Sequence, residues 1–563
     1  MTDRLAFLWP EIALFIATCV VMVLGLSPAR AVRKLCNLVA IVGLAAAGVL
    51  AATTTPLPGV TDPSTGGQTY LPGMVPFVKV MIAGVGLMLA LVVAGSVDRA
   101  EEKLIASGRS RFDALRSNRA EFYAFFLFSL TGLMLCASAD DLIWLFLALE
   151  LTSLPTYIMV VMSGAAGGTK GKSQEAGVKY FFLGALGAAV FLYGFALIYG
   201  GTGSTNFNAI HQHFTTQGIN GIALAGLVLA VLGLAFKIAA VPMHFYTADV
   251  YEGASAQVSA FLAFVPKTAG FVGLLLLAGM VGWAYGPGSS PAGALGTGVV
   301  KPVAGGSALP ETLRLTLWVV AALTMTVGNV LAIYQTSVKR MLAYSSIAHS
   351  GYMLVGVIVG PGNDPASFAK NGVSAVLFYL LAYGVMNLGA FAVVASLERD
   401  RKDSAEPGEV ETVDGLKGLC KTHPALGWTM VICSLGLLGF PPLLGFWGKF
   451  PLFTSAISAG EITLVIVLGL NSAISAYYYL RLVWACFVEA PTEDSRQARG
   501  TEFPSRAFAG LLSAGGVVAL SFVASMLMDQ SRQAGLYSKP KAQAEAAPQN
   551  APETPGTQVS RAE

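Results

Sequence analysis

Long apolar runs dominate the chain, and short polar or charged connections separate them. A helical run of about 20 residues crosses roughly 30 Å of hydrocarbon, because each residue advances about 1.5 Å. Runs of sufficient length lie at about fourteen places, at 6–27, 35–54, 73–95, 121–138, 142–163, 178–200, 219–240, 258–281, 314–335, 343–360, 372–396, 425–446, 462–486 and 507–528. The pattern predicts an all-α polytopic membrane protein with about fourteen transmembrane helices.

The basic residues of the connections fall mainly on alternate loops, which predicts the orientation of the chain. Basic residues of short loops stay on the cytoplasmic side. The rich side holds Arg30, Arg33, Lys34, Arg99, Lys103, Arg109, Arg111, Arg116, Arg119, Lys170, Lys172, Lys339, Arg340, Arg399, Arg401, Lys402, Lys417, Lys421, Arg496, Arg499 and Arg506. The poor side holds chiefly Lys301 and Lys370. With fourteen spans, both termini are predicted to face away from the cytoplasm.

Two segments interrupt the helical pattern on the predicted outer side. Residues 282–313 are rich in Gly, Pro, Ser and Ala and predict a flexible loop. Residues 529–563 contain few large apolar side chains and predict a disordered tail.

Composition agrees with the membrane interpretation and removes several classes of function. Apolar residues make up 55% of the chain and charged residues only 12%, against roughly 25% charged in an average soluble domain. The net charge of +3 follows from the loops and predicts no nucleic-acid patch. The six cysteines lack C-x-x-C spacing and are predicted to be reduced packing residues without a metal. No dinucleotide-binding turn and no P-loop occurs in the sequence.

Several ionisable residues lie inside the apolar runs. Lys237 and Lys267 stand in GLVLAVLGLAFKIAAVP and VSAFLAFVPKTAGFVGLLLLAG, Lys449 in GFPPLLGFWGKF, and Glu150 in LIWLFLALELTSLPTYIMVV. A lysine at the centre of a membrane helix costs roughly 2.5–3.5 kcal/mol, so such residues are functional candidates. The rival interpretation for the lysines is snorkelling to an interface, and for Glu150 a plain interhelical hydrogen bond.

Two of the predicted helices contain breaks. Span seven meets Pro242 soon after Lys237, and span twelve contains Gly439, Pro441 and Pro442. Interrupted helices at corresponding positions of two halves indicate the ion site of a transporter. The predicted blocks have five spans each, and because five is odd they form an inverted repeat. The expected domains are three N-terminal helices at 1–120, repeats at 121–281 and 314–486, and a last helix at 487–528.

Five segments carry a resemblance to a known family. They are EFYAFFLFSLTGLMLCASADDLIWLFLALELTSLPTYIM, FKIAAVPMHFYTADVYEGA, FVPKTAGF, GNVLAIYQTSVKRMLAYSSIAHSGYMLVG and GFPPLLGFWGKFPLF. They resemble the antiporter-like membrane subunits of respiratory complex I, the bacterial NADH-quinone oxidoreductase. The lysine at 449 resembles the N and L groups, whereas the M group is expected to carry a glutamate there, and EFYAFFLF is most similar to the subunit N group.

The resemblance implies a proton path. Glu150 would pair with Lys237, Lys267 would continue the path, and Lys449 would exchange protons with the far side. His349, in IAHSGY, could relay protons between Lys267 and Lys449, because imidazole titrates near neutrality. The rival interpretation of His349 is a hydrogen-bonded core histidine.

The resemblance also implies partners and a location. This chain would hold no cofactor, while NADH, FMN, iron–sulfur clusters and quinone would belong to partner subunits. The partners would be other membrane subunits and, indirectly, the hydrophilic arm, in a bacterial inner membrane with periplasmic termini. Two alternatives remain open: a subunit of a multisubunit Na⁺(K⁺)/H⁺ antiporter, and a scaffold that transports nothing.

Other polar residues have two interpretations each. Lys79 fits an interfacial anchor or a functional group, and Glu11 is expected near an interface. Glu175 and Lys179, four residues apart on one helix face, fit a surface ion pair or proton uptake. His211 and His213 have H-x-H spacing, which alone does not predict a metal site.

Overall fold

The structure is a computed structural model that describes residues 7–53, 71, 73–114, 117–163, 170–282, 309–362, 364, 367–399 and 408–536. Helices make up most of this part. In chain order they are α1 Trp9–Gly25, α2 Arg30–Thr53, α3 Met74–Val92, α4 Arg99–Ala106, α5 Arg119–Ala137, α6 Leu142–Ser163, α7 Lys170–Thr202, α8 Phe207–Gln217, α9 Gly221–Lys237, α10 Thr247–Gly253, α11 Ala256–Val281, α12 Glu311–Ile333, α13 Val338–Val359, α14 Gly372–Ser396, α15 Leu419–Thr422, α16 Pro424–Leu438, α17 Leu444–Ser458, α18 Ile462–Phe487, α19 Glu493–Gln497, α20 Pro504–Phe522 and α21 Ala524–Ala534.

Every predicted apolar segment contains an apolar helix. Eleven helices of the described part are long and apolar enough to cross a membrane, and three further apolar helices, α1, α9 and α16, are shorter. The prediction of a polytopic all-α membrane fold is therefore confirmed.

Three helices form the centre of the bundle. The apolar windows of α11, α13 and α14 are 100%, 94% and 94% buried, whereas those of α2, α18 and α20 are only 33% buried. A helix that is apolar on all sides is stable only inside a bundle or a membrane. Lys267 on α11 and His349 on α13 consequently lie among protein side chains and not against lipid.

Both predicted breaks are present. Helix α9 ends at Lys237 and the next helix begins at Thr247, while α16 ends at Leu438 and α17 begins at Leu444. Pro242 and Pro442 lie inside the two gaps. A proline removes one backbone donor and obstructs the preceding turn, which explains why the helices stop here.

The charged connections of the predicted cytoplasmic side meet at one end of the bundle. A small antiparallel sheet in the order β2-β1-β3 joins β1 Leu397–Arg399, β2 Gly408–Glu409 and β3 Arg499–Gly500. Glu398 accepts two hydrogen bonds from Arg99, at 2.7 and 3.0 Å, and lies 3.7 Å from Arg506. The loops near residues 97–120, 397–424 and 496–506 are thus held together.

Lys339 corrects one expectation about these loops. The sequence places it among loop charges, but it is the second residue of α13 and only 2% exposed. Its Nζ lies 3.2 Å from Glu409 and 3.0 Å from Glu411. A loop charge and a buried, paired charge look alike in sequence, because the partners lie about 70 residues away.

Contacts at the opposite end join the predicted outer loops to each other. Thr205 donates a hydrogen bond to Asp141 at 2.6 Å, and Arg314 pairs with Glu461 at 2.5 Å. The charged and polar contacts between loops therefore sort into two ends of the bundle, as alternating spans require.

The tail departs from expectation at its start. Helix α21 extends to Ala534, so the predicted disorder from 529 is wrong for its first residues. Ser531 and Ala534 are buried and three residues apart on one helix face, and Asn371 donates a hydrogen bond to the carbonyl of Gly535 at 3.1 Å. Residues 537–563 and most of the predicted outer loop, 283–308, lie outside the described residues.

Candidate functional site

The first part of the site is a buried ion pair between α6 and α9. The Lys237 Nζ lies 2.9 Å from the Glu150 Oε1 and donates a second hydrogen bond to the Ser153 hydroxyl at 2.6 Å. The side chain of Lys237 is 2% exposed and that of Glu150 is 18% exposed. Lys237 therefore does not snorkel to an interface.

Local packing places both ends of this pair. Glu150 and Ser153 are three residues apart and share one face of α6. On the other side, α9 approaches α7 so closely that a Cβ on Gly233 would lie 2.5 Å from the backbone nitrogen of Phe191. The Phe191 ring lies 5.5 Å from the Lys237 Nζ, so the ammonium group is enclosed by an aromatic face, a hydroxyl and a carboxylate.

Lys267 has a different environment, because its polar contacts in the described part are all neutral. Its Nζ donates hydrogen bonds to the Ser346 carbonyl at 2.7 Å, the Ser350 hydroxyl at 3.0 Å and the Ile238 carbonyl at 3.4 Å. The Ile238 carbonyl belongs to the first break. An ammonium group away from water has a higher free energy without a carboxylate than with one. In the described part of the chain, the Lys267 Nζ is thus held by hydrogen bonds to neutral oxygen atoms.

A small cavity lies between Lys237 and Lys267. Both lysines line it, together with Tyr180, Tyr246, Thr247 and Tyr251 among others, and it has room for about one water molecule. The two lysine residues therefore border the same small cavity.

His349 lies between two tyrosine hydroxyls. Its Nδ1 is 2.6 Å from the hydroxyl of Tyr379 on α14, and its Nε2 is 2.9 Å from the hydroxyl of Tyr479 on α18. The Tyr479 hydroxyl donates onward to the Ser345 hydroxyl at 2.8 Å. Both ring nitrogens thus have partners that can donate and accept protons. This arrangement suits a relay and equally satisfies a core histidine.

Lys449 lies beside the second break. Its Nζ donates a hydrogen bond to the carbonyl of Leu438 at 2.8 Å, and it lies 5.0 Å from the centre of the Tyr352 ring. Lys449 is 6% exposed. Leu438 is the last residue of α16, so the lysine satisfies a carbonyl that the break leaves without a helical donor.

Gly439 makes this contact possible. Its φ of +87° is a left-handed conformation, and a Cβ there would lie 3.0 Å from the Lys449 Cδ. A side chain would be strained in that conformation and would press on the lysine stem.

The two broken helices carry their lysines on different sides of the break. Lys237 is the last residue before the first break, whereas Lys449 is the sixth residue of the helix after the second break. The breaks correspond in order along the chain, but the matching of Lys237 with Lys449 does not extend to their position relative to the break.

The other sequence candidates form separate clusters. Lys79 and Glu11 make a buried ion pair of 2.7 Å, with side chains 4% and 5% exposed, so neither is an exposed interfacial anchor. Lys179 pairs with Glu175 at 2.7 Å and with Asp249 at 3.1 Å, and all three are partly exposed.

The rings of the two histidines in the H-x-H pattern have different neighbours. The ring of His211 lies 2.9 Å from the Met280 carbonyl, and that of His213 packs against Phe214. The described part contains no group of three or more His, Cys, Asp or Glu side chains placed to hold a metal ion. All six cysteines are free thiols.

Sequence reasoning missed the hydroxyl groups that surround the charges. Ser153, Tyr379 and Tyr479 contact the charged or titratable groups directly. Tyr379 and Tyr479 lie in apolar runs, where tyrosine is common. A single serine or tyrosine in a helix does not indicate a functional contact until the positions of the neighbouring helices are known.

Comparison with known proteins agrees with this geometry. Residues 139–286 and 292–475 match the family model described as NADH:quinone oxidoreductase/Mrp antiporter, TM. NADH-quinone oxidoreductase subunit N of Trichlorobacter lovleyi is 40% identical over 419 residues, which cover 74% of this chain and 77% of the relative. The subunit N of Paramagnetospirillum magneticum is 35% identical over 503 residues, which cover 87% of this chain and 90% of the relative.

Solved structures share the fold. A chain of the respiratory complex I from Thermus thermophilus with bound Aureothin superposes with a TM-score of 0.68 at 30% identity, covering 92% of this chain and 98% of that one. A chain of the Mrp complex from Dietzia sp. superposes with a TM-score of 0.70 at 20% identity, covering 95% of this chain and 97% of that one, and shows the fold alone.

The apolar helices, the two breaks, the buried charges and these similarities agree. The chain is an integral membrane protein that belongs to the NADH:quinone oxidoreductase/Mrp antiporter transmembrane family, within the subunit N group of the NADH-quinone oxidoreductases.

Proposed function

We propose that this chain translocates protons within an NADH-quinone oxidoreductase, and that Glu150, Lys237, Lys267, His349 and Lys449 carry them. The observation that supports this most directly is the buried Glu150–Lys237 ion pair, whose lysine lines a cavity together with Lys267. Buried charges in a membrane are costly and are retained where they transport ions or protons.

The ion pair can act as a switch. Burial away from water disfavours an ammonium ion, and a nearby carboxylate favours it. When Glu150 and Lys237 separate, the lysine releases its proton, and when the pair forms again it takes one up. A water molecule in the cavity would carry the proton between Lys237 and Lys267.

The later steps follow the contacts of α13. Lys267 binds Ser346 and Ser350 on one side of this helix, and His349 lies beside them with its two tyrosine partners. Lys449 receives the proton beyond His349 and exchanges it with the far side. Each charge moved against 100 mV requires about 2.3 kcal/mol, which the oxidation of NADH in partner subunits supplies.

Partners and orientation belong to the same proposal. NADH, FMN, iron–sulfur clusters and quinone would be bound by other subunits, and neighbouring membrane subunits would contact this chain. The sorting of loop contacts into two ends supports fourteen crossings with both termini on the periplasmic side of a bacterial inner membrane. The two breaks, in the fourth helix of each block of five, support the inverted repeat.

The chain's transport chemistry is tested by reconstituting the complex purified through a tag on this chain. In liposomes, NADH and quinone should drive proton movement that persists when choline replaces Na⁺ and K⁺. Purification without NADH oxidation, with a pH gradient that added Na⁺ or K⁺ dissipates, would establish the antiporter function instead. NADH oxidation without proton movement would leave only a scaffold role.

A further inference from the structure

The first break is held at two points by different parts of the bundle. The Ile238 carbonyl accepts a hydrogen bond from Lys267 at 3.4 Å, within the first block of helices. Three residues later, the backbone N–H of Val241 donates a hydrogen bond to the hydroxyl of Thr324 at 2.9 Å. Thr324 is 0% exposed and belongs to α12, the first helix of the second block.

The same helix also reaches the surroundings of the second break. Asn329, five residues after Thr324, donates a hydrogen bond to the Tyr352 hydroxyl at 2.9 Å. The ring of Tyr352 lies 5.0 Å from the Lys449 Nζ. Asn329 is itself fixed, because its Oδ1 accepts a hydrogen bond from Tyr478 at 2.9 Å. Helix α12 thus contacts both the break after Lys237 and the aromatic ring beside Lys449.

We propose that Thr324 is a positioning residue that holds the first break in register with Lys267, and that α12 links this break to the site of Lys449. The inference rests on the proposed function, since it assigns a role to a residue outside the proton path. Between Thr324 and Asn329 the helix is continuous, so a displacement at one end is transmitted to the other.

The hydroxyl of Thr324 is suited to this role. It donates to the Val320 carbonyl of its own helix, which fixes its rotamer, and uses a lone pair to accept from Val241. Without this acceptor the buried N–H of Val241 has no partner. The segment that carries the Ile238 carbonyl then loses one of its two hydrogen bonds to the rest of the bundle. The carbonyl is held less firmly in its position against Lys267.

The test is Thr324→Val, which keeps the shape of the side chain and removes the acceptor. Assembly is checked on a native gel, and NADH-driven acidification of inverted vesicles is measured per NADH oxidised. We expect acidification per NADH oxidised to fall by about fivefold. An unpaired buried N–H lowers, by about that factor, the population of the state in which the break is held in place. Thr324→Ser restores the hydroxyl and should recover most of the pumping.

Thr316→Val is the matched control. Thr316 lies on the same helix and donates to the carbonyl four residues earlier, at 2.7 Å, but it is not buried. Its replacement should leave pumping unchanged. If Thr324→Val does not assemble, Thr324→Ala removes the same acceptor with a smaller side chain and is measured in its place.

The outcomes separate this inference from the proposed function. Loss of pumping in Thr324→Val with recovery in Thr324→Ser supports the positioning role. Normal pumping in Thr324→Val or Thr324→Ala, beside a loss in Lys237→Met, overturns the inference and leaves the proton path intact. Normal pumping in Lys237→Met as well would overturn the proposed function itself.

Discussion

At the scale of single residues, each buried charge has a different set of partners. Among the described residues, Lys237 contacts a carboxylate, Lys267 contacts neutral oxygen atoms, and Lys449 contacts a carbonyl and an aromatic ring. Along the proposed path such differences would order the stability of a bound proton, because a carboxylate stabilises an ammonium ion more than a carbonyl does. Lys449 is the last lysine of the proposed path, so its replacement is the most informative about exchange with the far side.

Replacing Lys449 with methionine removes the charge and keeps most of the volume. We expect NADH-driven pumping to fall by about tenfold or more, since a group that transfers protons is lost. The measurement is acidification of inverted vesicles. Lys421→Met, at an exposed position, is the control and should pump normally. Equal pumping by both variants would remove Lys449 from the path.

The tyrosines beside His349 provide a finer test. Tyr379→Phe keeps the ring and removes the hydroxyl that lies 2.6 Å from the histidine. Loss of one such hydrogen bond, worth about 1 kcal/mol, should slow pumping by about fivefold if His349 is a relay. Tyr477→Phe, whose side chain is 61% exposed, should have no effect. If Tyr379→Phe pumps at the normal rate, the histidine is a core residue.

At the scale of elements, the breaks bring backbone carbonyls to lysine side chains. In each case a carbonyl near the end of a half-helix accepts a hydrogen bond from a lysine outside that half-helix: Ile238 from Lys267 on α11, and Leu438 from Lys449 on the second half of the same broken helix. Freed backbone groups in a membrane need such partners. A break is thus a binding element for an ammonium group as well as an interruption of the helix.

Gly439→Ala tests the second break. A non-glycine residue at φ of +87° costs about 1–2 kcal/mol, and its Cβ would meet the Lys449 stem. We expect a lower Tm for the solubilised complex together with reduced pumping. Gly200→Ala, where the new Cβ would meet no atom within 4 Å, should change neither. An unchanged Tm in Gly439→Ala would mean that the break adapts without strain.

The sequence was informative about these elements to different degrees. The apolar runs and the prolines predicted the helices and both breaks, because length and missing donors act locally. Lys237 with Glu150 followed from the family resemblance and from their isolation in apolar runs. The roles of Thr324, Ser153 and Tyr379 did not follow from the sequence. A hydroxyl in a membrane helix has a low energetic cost, and its role depends on a neighbour that is distant in the chain.

At the scale of the whole molecule, buried ion pairs join the helices at the predicted cytoplasmic end. Glu398 has a bidentate contact with Arg99, accepts a hydrogen bond from Thr501 at 2.7 Å, and lies near Arg506. These residues come from three connections that are far apart in sequence. They fix the helix ends that carry the central elements of the bundle.

Glu398→Gln should destabilise the protein through this cluster. The glutamine amide has no negative charge to balance the positive charges of Arg99 and Arg506. Removal of one partner of a buried ion pair costs about 3–5 kcal/mol. A lower Tm of the solubilised complex is the expected result. Glu493→Gln, on the short helix α19 and with an exposed side chain, is the control. A Tm equal to that of the wild type would show that the arginines are satisfied without Glu398.

The solvent-exposed edge of this cluster should lose stability at acid pH. Lys103 hydrogen-bonds Glu502 and lowers the pKa of its carboxyl below the usual 4.5, with Arg99 contributing, although partial burial opposes this. A carboxyl with a lowered pKa stabilises the folded state above its unfolded pKa, and this is lost as the pH falls through the folded value. The difference in Tm between wild type and Glu502→Gln should be present at neutral pH, decrease as the pH falls below 4.5, and vanish once the pH is below the lowered pKa of the Glu502 carboxyl.

The central claim is that Lys237 carries protons driven by NADH oxidation, and pumping by Lys237→Met tests it most directly. Inverted vesicles are compared after a native gel has established assembly, with Lys370→Met, a half-exposed lysine near Asp364, as the control. The account predicts that acidification falls by about tenfold or more in Lys237→Met and is normal in Lys370→Met. Normal acidification and normal NADH oxidation in an assembled Lys237→Met complex would contradict it.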